Sequence, residues 1–261
     1  MTIEASTPHA DAGPPAPAPR GALVSIEGVS GVGKTYLTGC LLAAVPADQR
    51  PLVVEEFSQR RVATDPSGAL GRQLLGALVD AAPGDPFLRG GQPRSETLLL
   101  IAVKIHDFES VRPALMDGRT VIEGRSAHST AVYQSLILEP GDDRATTLAH
   151  QILETTARWR PLPDLTVLIT DDLDIAIRRA ETRDGSTYTP EHWRIHRRAA
   201  RLFGHLAADD PDHIRVLDRR DHTTAALVDI LSAWTVDPPR RTWQQFDAGL
   251  TSPDAAAPER P

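Results

Sequence analysis

Gly28-Val29-Ser30-Gly31-Val32-Gly33-Lys34-Thr35 decides how the rest of this chain is read. The stretch fits G-x-x-x-x-G-K-[ST], and its surroundings fit the strand–loop–helix context that this loop needs. Directly before it, Ala22-Leu23-Val24-Ser25-Ile26 is an apolar run of the kind that forms a buried strand. Directly after it, Tyr36-Leu37-Thr38-Gly39-Cys40-Leu41-Leu42-Ala43-Ala44 opens a helix. Glycines let the backbone fold around a polyphosphate with its N–H groups turned inward, and the helix N-terminus adds a field favourable to anions. In that geometry Gly28, Ser30, Gly31, Val32 and Gly33 cradle phosphates, and Lys34 reaches the β- and γ-phosphates. The Thr35 hydroxyl then binds Mg²⁺. The stretch predicts binding of a nucleoside triphosphate.

Outward from the loop, strand and helix patterns alternate. Leu52-Val53-Val54-Glu55-Glu56 reads as a second strand, and residues 71–82 read as an amphipathic helix entered through Asp65-Pro66-Ser67. A long helix is expected over residues 95–115, capped by Ser95 and with Pro113 near its end. Asp117-Gly118 is a turn and Thr120-Val121-Ile122-Glu123 a third strand, followed by helices at 130–138 and 144–158. Leu165-Thr166-Val167-Leu168-Ile169-Thr170 is the clearest buried strand. Residues 172–183 are helical, a polar segment over 184–189 precedes a helix at 190–208, and His213-Ile214-Arg215-Val216-Leu217 is the last strand. A helix over 223–234 closes the core. Five strands separated by helices predict an α/β protein of the P-loop NTPase three-layer fold. Its five-stranded parallel sheet carries helices on both faces and a small lid at about residues 183–190. In such sheets ligands sit at the carboxyl ends of the strands, where the loop of residues 28–35 emerges.

Composition narrows the class. The chain has 261 residues, and one domain over residues 22–236 accounts for the pattern. A net charge of −7 without a dense Lys/Arg patch argues against a nucleic-acid partner. Aromatics are only 5% of residues, so the core must be built mainly from Leu, Val, Ile and Ala. Cys40 is the only cysteine, which rules out an intrachain disulfide and fits a cytoplasmic setting. Residues 1–21 are Ala/Pro-rich and carry no export pattern, and no apolar run is long enough to span a bilayer. Residues 1–21 and 237–261 read as largely disordered tails. Within the second, Trp243-Gln244-Gln245-Phe246 is either solvated or docked as a short helix.

The segments beyond the loop choose among the proteins that carry it. Ile26-Glu27-Gly28, Glu96-Thr97-Leu98-Leu99-Leu100-Ile101-Ala102 and Arg112-Pro113-Ala114-Leu115 resemble the thymidylate kinase family. So does Val121-Ile122-Glu123-Gly124-Arg125-Ser126-Ala127-His128-Ser129-Thr130-Ala131-Val132-Tyr133-Gln134, set against the family's D-R-Y-x-x-S-x-x-A-Y-Q. Pro163-Asp164-Leu165-Thr166-Val167-Leu168 is similar to its fourth strand, and residues 172–183 to the helix leading into its mobile lid. The resemblance runs from Ala22 to about Leu231. It implies transfer of the ATP γ-phosphate, with Mg²⁺, to a nucleoside monophosphate such as dTMP, and it implies a homodimer.

Position by position, the resemblance gives Arg125 the acceptor phosphate and makes Tyr133 and Gln134 the lining of the acceptor-base pocket. Lys104 stands where the family usually has an Arg gripping the same phosphate; it keeps the charge and loses the bidentate fork. Arg179 and Arg183 correspond to lid arginines that contact the donor nucleotide, though both also fit a solvated helix face. Tyr133 also fits a half-buried helix aromatic.

The departures fall on acidic positions. Ser30 stands where the family has an acidic residue, its D-R pair becomes Gly124-Arg125, and Glu55-Glu56-Phe57-Ser58 replaces its R-E-P-G. Glu123 is therefore a candidate catalytic base or Mg²⁺ organiser, with Glu55 and Glu56 as further bases if the acceptor is a hydroxyl. One of Asp171 and Asp172 is expected to cap the helix that follows them. Two other readings stand beside a monophosphate kinase. One is a diverged kinase of a hydroxyl on a nucleoside or other small metabolite. The other is a degenerate module that binds ATP without turnover.

Overall fold

β1 (Leu23–Glu27) is wholly buried because it has a strand on each side: β3 (Val121–Glu123) and β4 (Leu165–Thr170) both pair with it in parallel. The computed structural model describes residues 20–54, 68–243 and 246. In it β2 (Leu52–Val54) pairs with β3 and β5 (Ile214–Asp218) with β4, giving one five-stranded parallel sheet in the order β2-β3-β1-β4-β5. The chain runs outward from β1 to β2 and then passes back across it between β3 and β4. The loop after β1 therefore sits at a switch point, where open parallel sheets bind their ligands.

The helices are α1 (Lys34–Ala44), α2 (Gly68–Ala81), α3 (Pro93–Met116), α4 (Ala127–Leu138), α5 (Asp142–Ala157), α6 (Leu173–Asp184), α7 (Pro190–Asp209) and α8 (Thr224–Val236). α1 packs against α8, and α4 packs against α3, α5 and α7, so helices cover the sheet on both faces. One aliphatic cluster joins sheet and helices through Val24, Ile26, Leu37, Leu41, Ile122, Val132, Val167, Ile169, Leu202 and Leu231. Such burial supplies about 25 cal/mol per Å² of apolar surface removed from water.

Local chemistry moves several element ends from where they are expected. α3 begins at Pro93, before the expected Ser95 cap, because proline is pre-set for a first helical position. Glu96 Oε1 then accepts the Gln92 N–H at 2.8 Å, and Ser95 lies inside the first turn. α4 begins at Ala127 rather than 130, because Ser126 caps it by accepting the His128 N–H at 3.2 Å. Asp172 caps α6 through the Ile175 N–H at 2.9 Å, and Gly185, at φ 62°, ends that helix. Glu55, Glu56 and Asp65-Pro66-Ser67 lie outside the described residues. Cys40 is half-buried on α1.

Packed structure extends past both expected boundaries, 22 and 236. Arg20 makes a two-pronged ion pair with Asp164, both bonds 2.7 Å, and its guanidinium lies 3.3 Å from the centroid of the Trp243 ring. Trp243 is buried beside Leu23, Val121 and three α3 residues, Phe108, Val111 and Leu115. Of the two readings for Trp243-Gln244-Gln245-Phe246, the docked one is realised at Trp243 and Phe246. The indole closes the apolar gap at the amino ends of β1 and β3, opposite the phosphate loop.

Candidate active site

The loop between β1 and α1 is shaped by three glycines at positive φ: Gly28 at 132°, Gly31 at 83° and Gly33 at 91°. A Cβ on Gly31 would lie 1.7 Å from the Ala176 carbonyl oxygen, and one on Gly33 would lie 2.5 Å from Arg219 Nη1. No side chain caps α1 at Gly33. Lys34 is buried and folds back over the loop, donating to the carbonyls of Gly28 at 2.9 Å and Val29 at 3.1 Å. Thr35 stands exposed in the first turn.

This cradle fits a triphosphate with Mg²⁺. A side chain at Gly31 or Gly33 would collide with Ala176 or Arg219 and distort it, and cation, hydroxyl and helix N-terminus converge on it. Among the described residues no group of three His, Cys, Asp or Glu could hold a metal.

Arg219, which follows β5, is a loop-contacting residue that the sequence reading missed. Its Nη1 donates to the Val32 carbonyl at 2.9 Å and reaches Asp171 Oδ2 at 3.5 Å. Arg179 shares that same carboxylate oxygen at 2.5 Å. Arg179 is thus tied to the loop through Asp171 and Arg219, whereas Arg183 is directed to the cavity described next.

A cavity of about 540 Å³ opens beside the loop, lined by Ser30, Phe87, Leu100, Lys104, Arg125, Tyr133, Gln134, Arg183 and Tyr188 among others. Arg125 stands between loop and cavity. It donates from Nη2 to Ser30 Oγ at 3.3 Å and from Nη1 to Ser129 Oγ at 3.1 Å. Its guanidinium also lies 5.6 Å from the Tyr133 ring centroid. Lys104 Nζ donates to the Arg125 carbonyl at 2.8 Å, so it holds the arginine's backbone as well as lining the cavity. Arg183 lines the cavity while its Nε donates to Asp184 Oδ1 at 2.7 Å.

Behind Arg125 lies Glu27, the last residue of β1 and fully buried. Its Oε1 accepts the Ser126 N–H at 2.6 Å and the Ser126 hydroxyl at 2.8 Å, while Oε2 accepts the Ser129 hydroxyl at 2.5 Å. His128 Nδ1 lies 3.1 Å from Ser126 Oγ, and burial pushes its pKa down to about 4, so the ring is neutral at neutral pH. One carboxylate thereby fixes both the start of α4 and the serine that Arg125 leans on. Glu27→Gln places an amide N–H against one of these donors. The expected result is a roughly 10- to 100-fold loss of turnover from the misplaced guanidinium. Initial rates and an ADP titration check it, with ADP affinity unchanged.

Glu123, the candidate base or Mg²⁺ organiser, is held in a buried ion pair. Arg160 grips it with both guanidinium arms, at 2.6 and 3.1 Å, and both residues are almost wholly inaccessible. The structure brings Lys34, Thr35, Ser30, Arg125, Lys104, Tyr133, Gln134 and Arg183 to the loop and its cavity, and sets Glu123 apart from them. The Arg160 partnership carries no local signal, since 37 residues separate the pair. Glu27 was legible only as a carboxylate ending a buried strand directly before the loop.

A parallel sheet with this loop at its carboxyl edge and a cation-lined cavity beside it defines a P-loop nucleotide kinase. The family model for thymidylate kinase matches residues 26–230. A thymidylate kinase from Bifidobacterium longum is 35% identical over 208 residues, covering 76% of this chain and 89% of that one. Another, from Chlamydia felis, is 28% identical over 215 residues, covering 81% and 96%. Among solved structures, the thymidylate kinase of Candida albicans superposes with a TM-score of 0.56 at 19% identity, over 82% of this chain and 92% of that one. That of Ehrlichia chaffeensis gives 0.53 at 22% identity, over 82% and 99%. The chain belongs to the thymidylate kinase family.

Proposed function

We propose that this chain transfers the γ-phosphoryl group of Mg·ATP to the phosphate of dTMP. The observation that carries the reading is Arg125, whose guanidinium bridges the phosphate loop at Ser30 and the cavity wall at Ser129. A cation there can neutralise charge on both the acceptor phosphate and the group in flight. Lys34 and the loop N–H groups hold the donor phosphates, and Thr35 would supply a ligand for Mg²⁺, which would neutralise phosphate charge when bound. Arg183 lines the cavity, and the segment of about residues 183–190 closes over the acceptor as a lid.

The described carboxylates suit a phosphate acceptor, with Glu55 and Glu56, the further candidate bases, outside the described residues. A hydroxyl needs a base to take its proton, whereas a phosphate is already a nucleophile near neutral pH. Among the described residues, Glu27 is engaged by Ser126 and Ser129, Glu123 by Arg160, and Asp184 by Arg183 and Tyr188. Asp85, the other acid at the cavity, is bound by Arg89. Burial pushes its pKa up, but the Arg89 and Phe87 hydrogen bonds outweigh that and hold it below the usual range.

The same reading gives one kinase domain built on residues 22–236, with Arg20 and Trp243 packed onto it, a cytoplasmic enzyme and a homodimer. Leu98 on α3 and Val79 on α2, both exposed, supply apolar surface suited to a second copy. No described helix is long and apolar enough to cross a membrane. ADP release from Mg·ATP against dTMP, other nucleoside monophosphates and free nucleosides tests the acceptor. Selective turnover with dTMP is expected. Turnover with free nucleosides alone moves the assignment to a hydroxyl kinase, and ATP binding without turnover to a binding module.

A further inference from the structure

The polar wall of the cavity contains a relay whose direction one proton decides. Thr97 on α3 and Gln134 on α4 are both buried, and Gln134 lines the cavity. Thr97 Oγ1 lies 2.7 Å from the Pro93 carbonyl oxygen, one turn earlier, and 2.9 Å from Gln134 Oε1. A hydroxyl has a single proton to donate, and a carbonyl oxygen can only accept. The shorter contact, to Pro93, takes that proton. Thr97 is left with lone pairs to offer Gln134. The two ends of a carboxamide have the same shape, so its partners decide which is oxygen and which is nitrogen. Gln134 therefore turns its NH₂ toward Thr97 and its carbonyl oxygen toward the cavity.

We infer that Thr97 is a positioning residue for acceptor choice, holding Gln134 as a hydrogen-bond acceptor toward the bound base. This rests on the acceptor reading given above. A base with a ring N–H on its pairing edge, as in thymine or uracil, donates to that oxygen. A base with a ring lone pair there, as in cytosine, meets acceptor against acceptor. Discrimination then follows from a buried polar group left unpaired, the kind of mismatch that a hydrogen-bonding site rejects most strongly.

The test compares kcat/KM for dTMP and dCMP at saturating Mg·ATP, in the unsubstituted enzyme and in Thr97→Val, Thr97→Ala and Thr97→Ser. Thr97→Val removes the hydroxyl and keeps the shape, so Gln134 is free to flip and the dTMP:dCMP ratio falls about 10-fold. Thr97→Ala moves the ratio the same way, and Thr97→Ser, which keeps the hydroxyl, preserves it. In a Gln134→Ala background Thr97→Val has no further effect on the ratio. An unchanged ratio in folded Thr97→Val or Thr97→Ala overturns the inference, as does an equal fall in Thr97→Ser. Failure of the unsubstituted enzyme to phosphorylate either monophosphate overturns the acceptor reading and the inference with it.

Discussion

Lys34→Ala lowers kcat by about 10³-fold, with the fold intact. Lys34 is buried in the loop and bonded to the carbonyls of Gly28 and Val29. Both carbonyls belong to the concave face of a loop whose backbone is already set by Gly28, Gly31 and Gly33. Removing the ammonium therefore leaves the cradle standing and takes away the point charge nearest the phosphates. Charge on the transferring group peaks in the transition state, so kcat falls further than the KM for ATP rises. Steady-state kinetics with thermal melting of the same preparation check this. A kcat within 10-fold of the unsubstituted enzyme would remove Lys34 from the mechanism.

Glu123→Ala destabilises the protein by about 3–5 kcal/mol, because it strands a buried guanidinium without its carboxylate. Arg160 is fully buried, and its remaining bonds go to the carbonyls of Lys104 and Pro161. Those carbonyls soften the loss without neutralising the charge. Chemical denaturation measures the effect directly. Adding Arg160→Met removes the orphaned charge and recovers much of the lost stability. The double variant is expected to retain kcat within a few-fold, since both Glu123 carboxylate oxygens are held by Arg160. A collapse of kcat in a stable double variant would restore Glu123 to the chemistry.

Glu123 also marks the limit of what local sequence shows. Its position two residues before Arg125, in place of a missing aspartate, makes it a candidate base or Mg²⁺ organiser. The partner that claims it lies just beyond the end of α5, and only the folded sheet brings the two together. Arg219 is hidden for the same reason: nothing near β5 in sequence points to the Val32 carbonyl. Lys104 was legible as a cation at the cavity, but its bond to the Arg125 carbonyl depends on how α3 crosses the start of α4.

Features set by short-range chemistry were readable. The glycine loop, the strand Leu165–Thr170 and the Asp172 cap stand where residue type and spacing put them. Helix starts slipped at α3 and α4, where Pro93 and Ser126 outcompeted the expected positions. The docked Trp243 was one of two open readings, because a tryptophan in a polar tail carries no sign of the gap it fills.

The most direct measurement is ³¹P NMR of Mg·ATP incubated with the enzyme and dTMP, and separately with thymidine. A new diphosphate resonance pair appearing with dTMP, matched by ADP and absent with thymidine, is the expected result. Phosphorylation of thymidine alone, or ADP and inorganic phosphate without a phosphorylated acceptor, would contradict it.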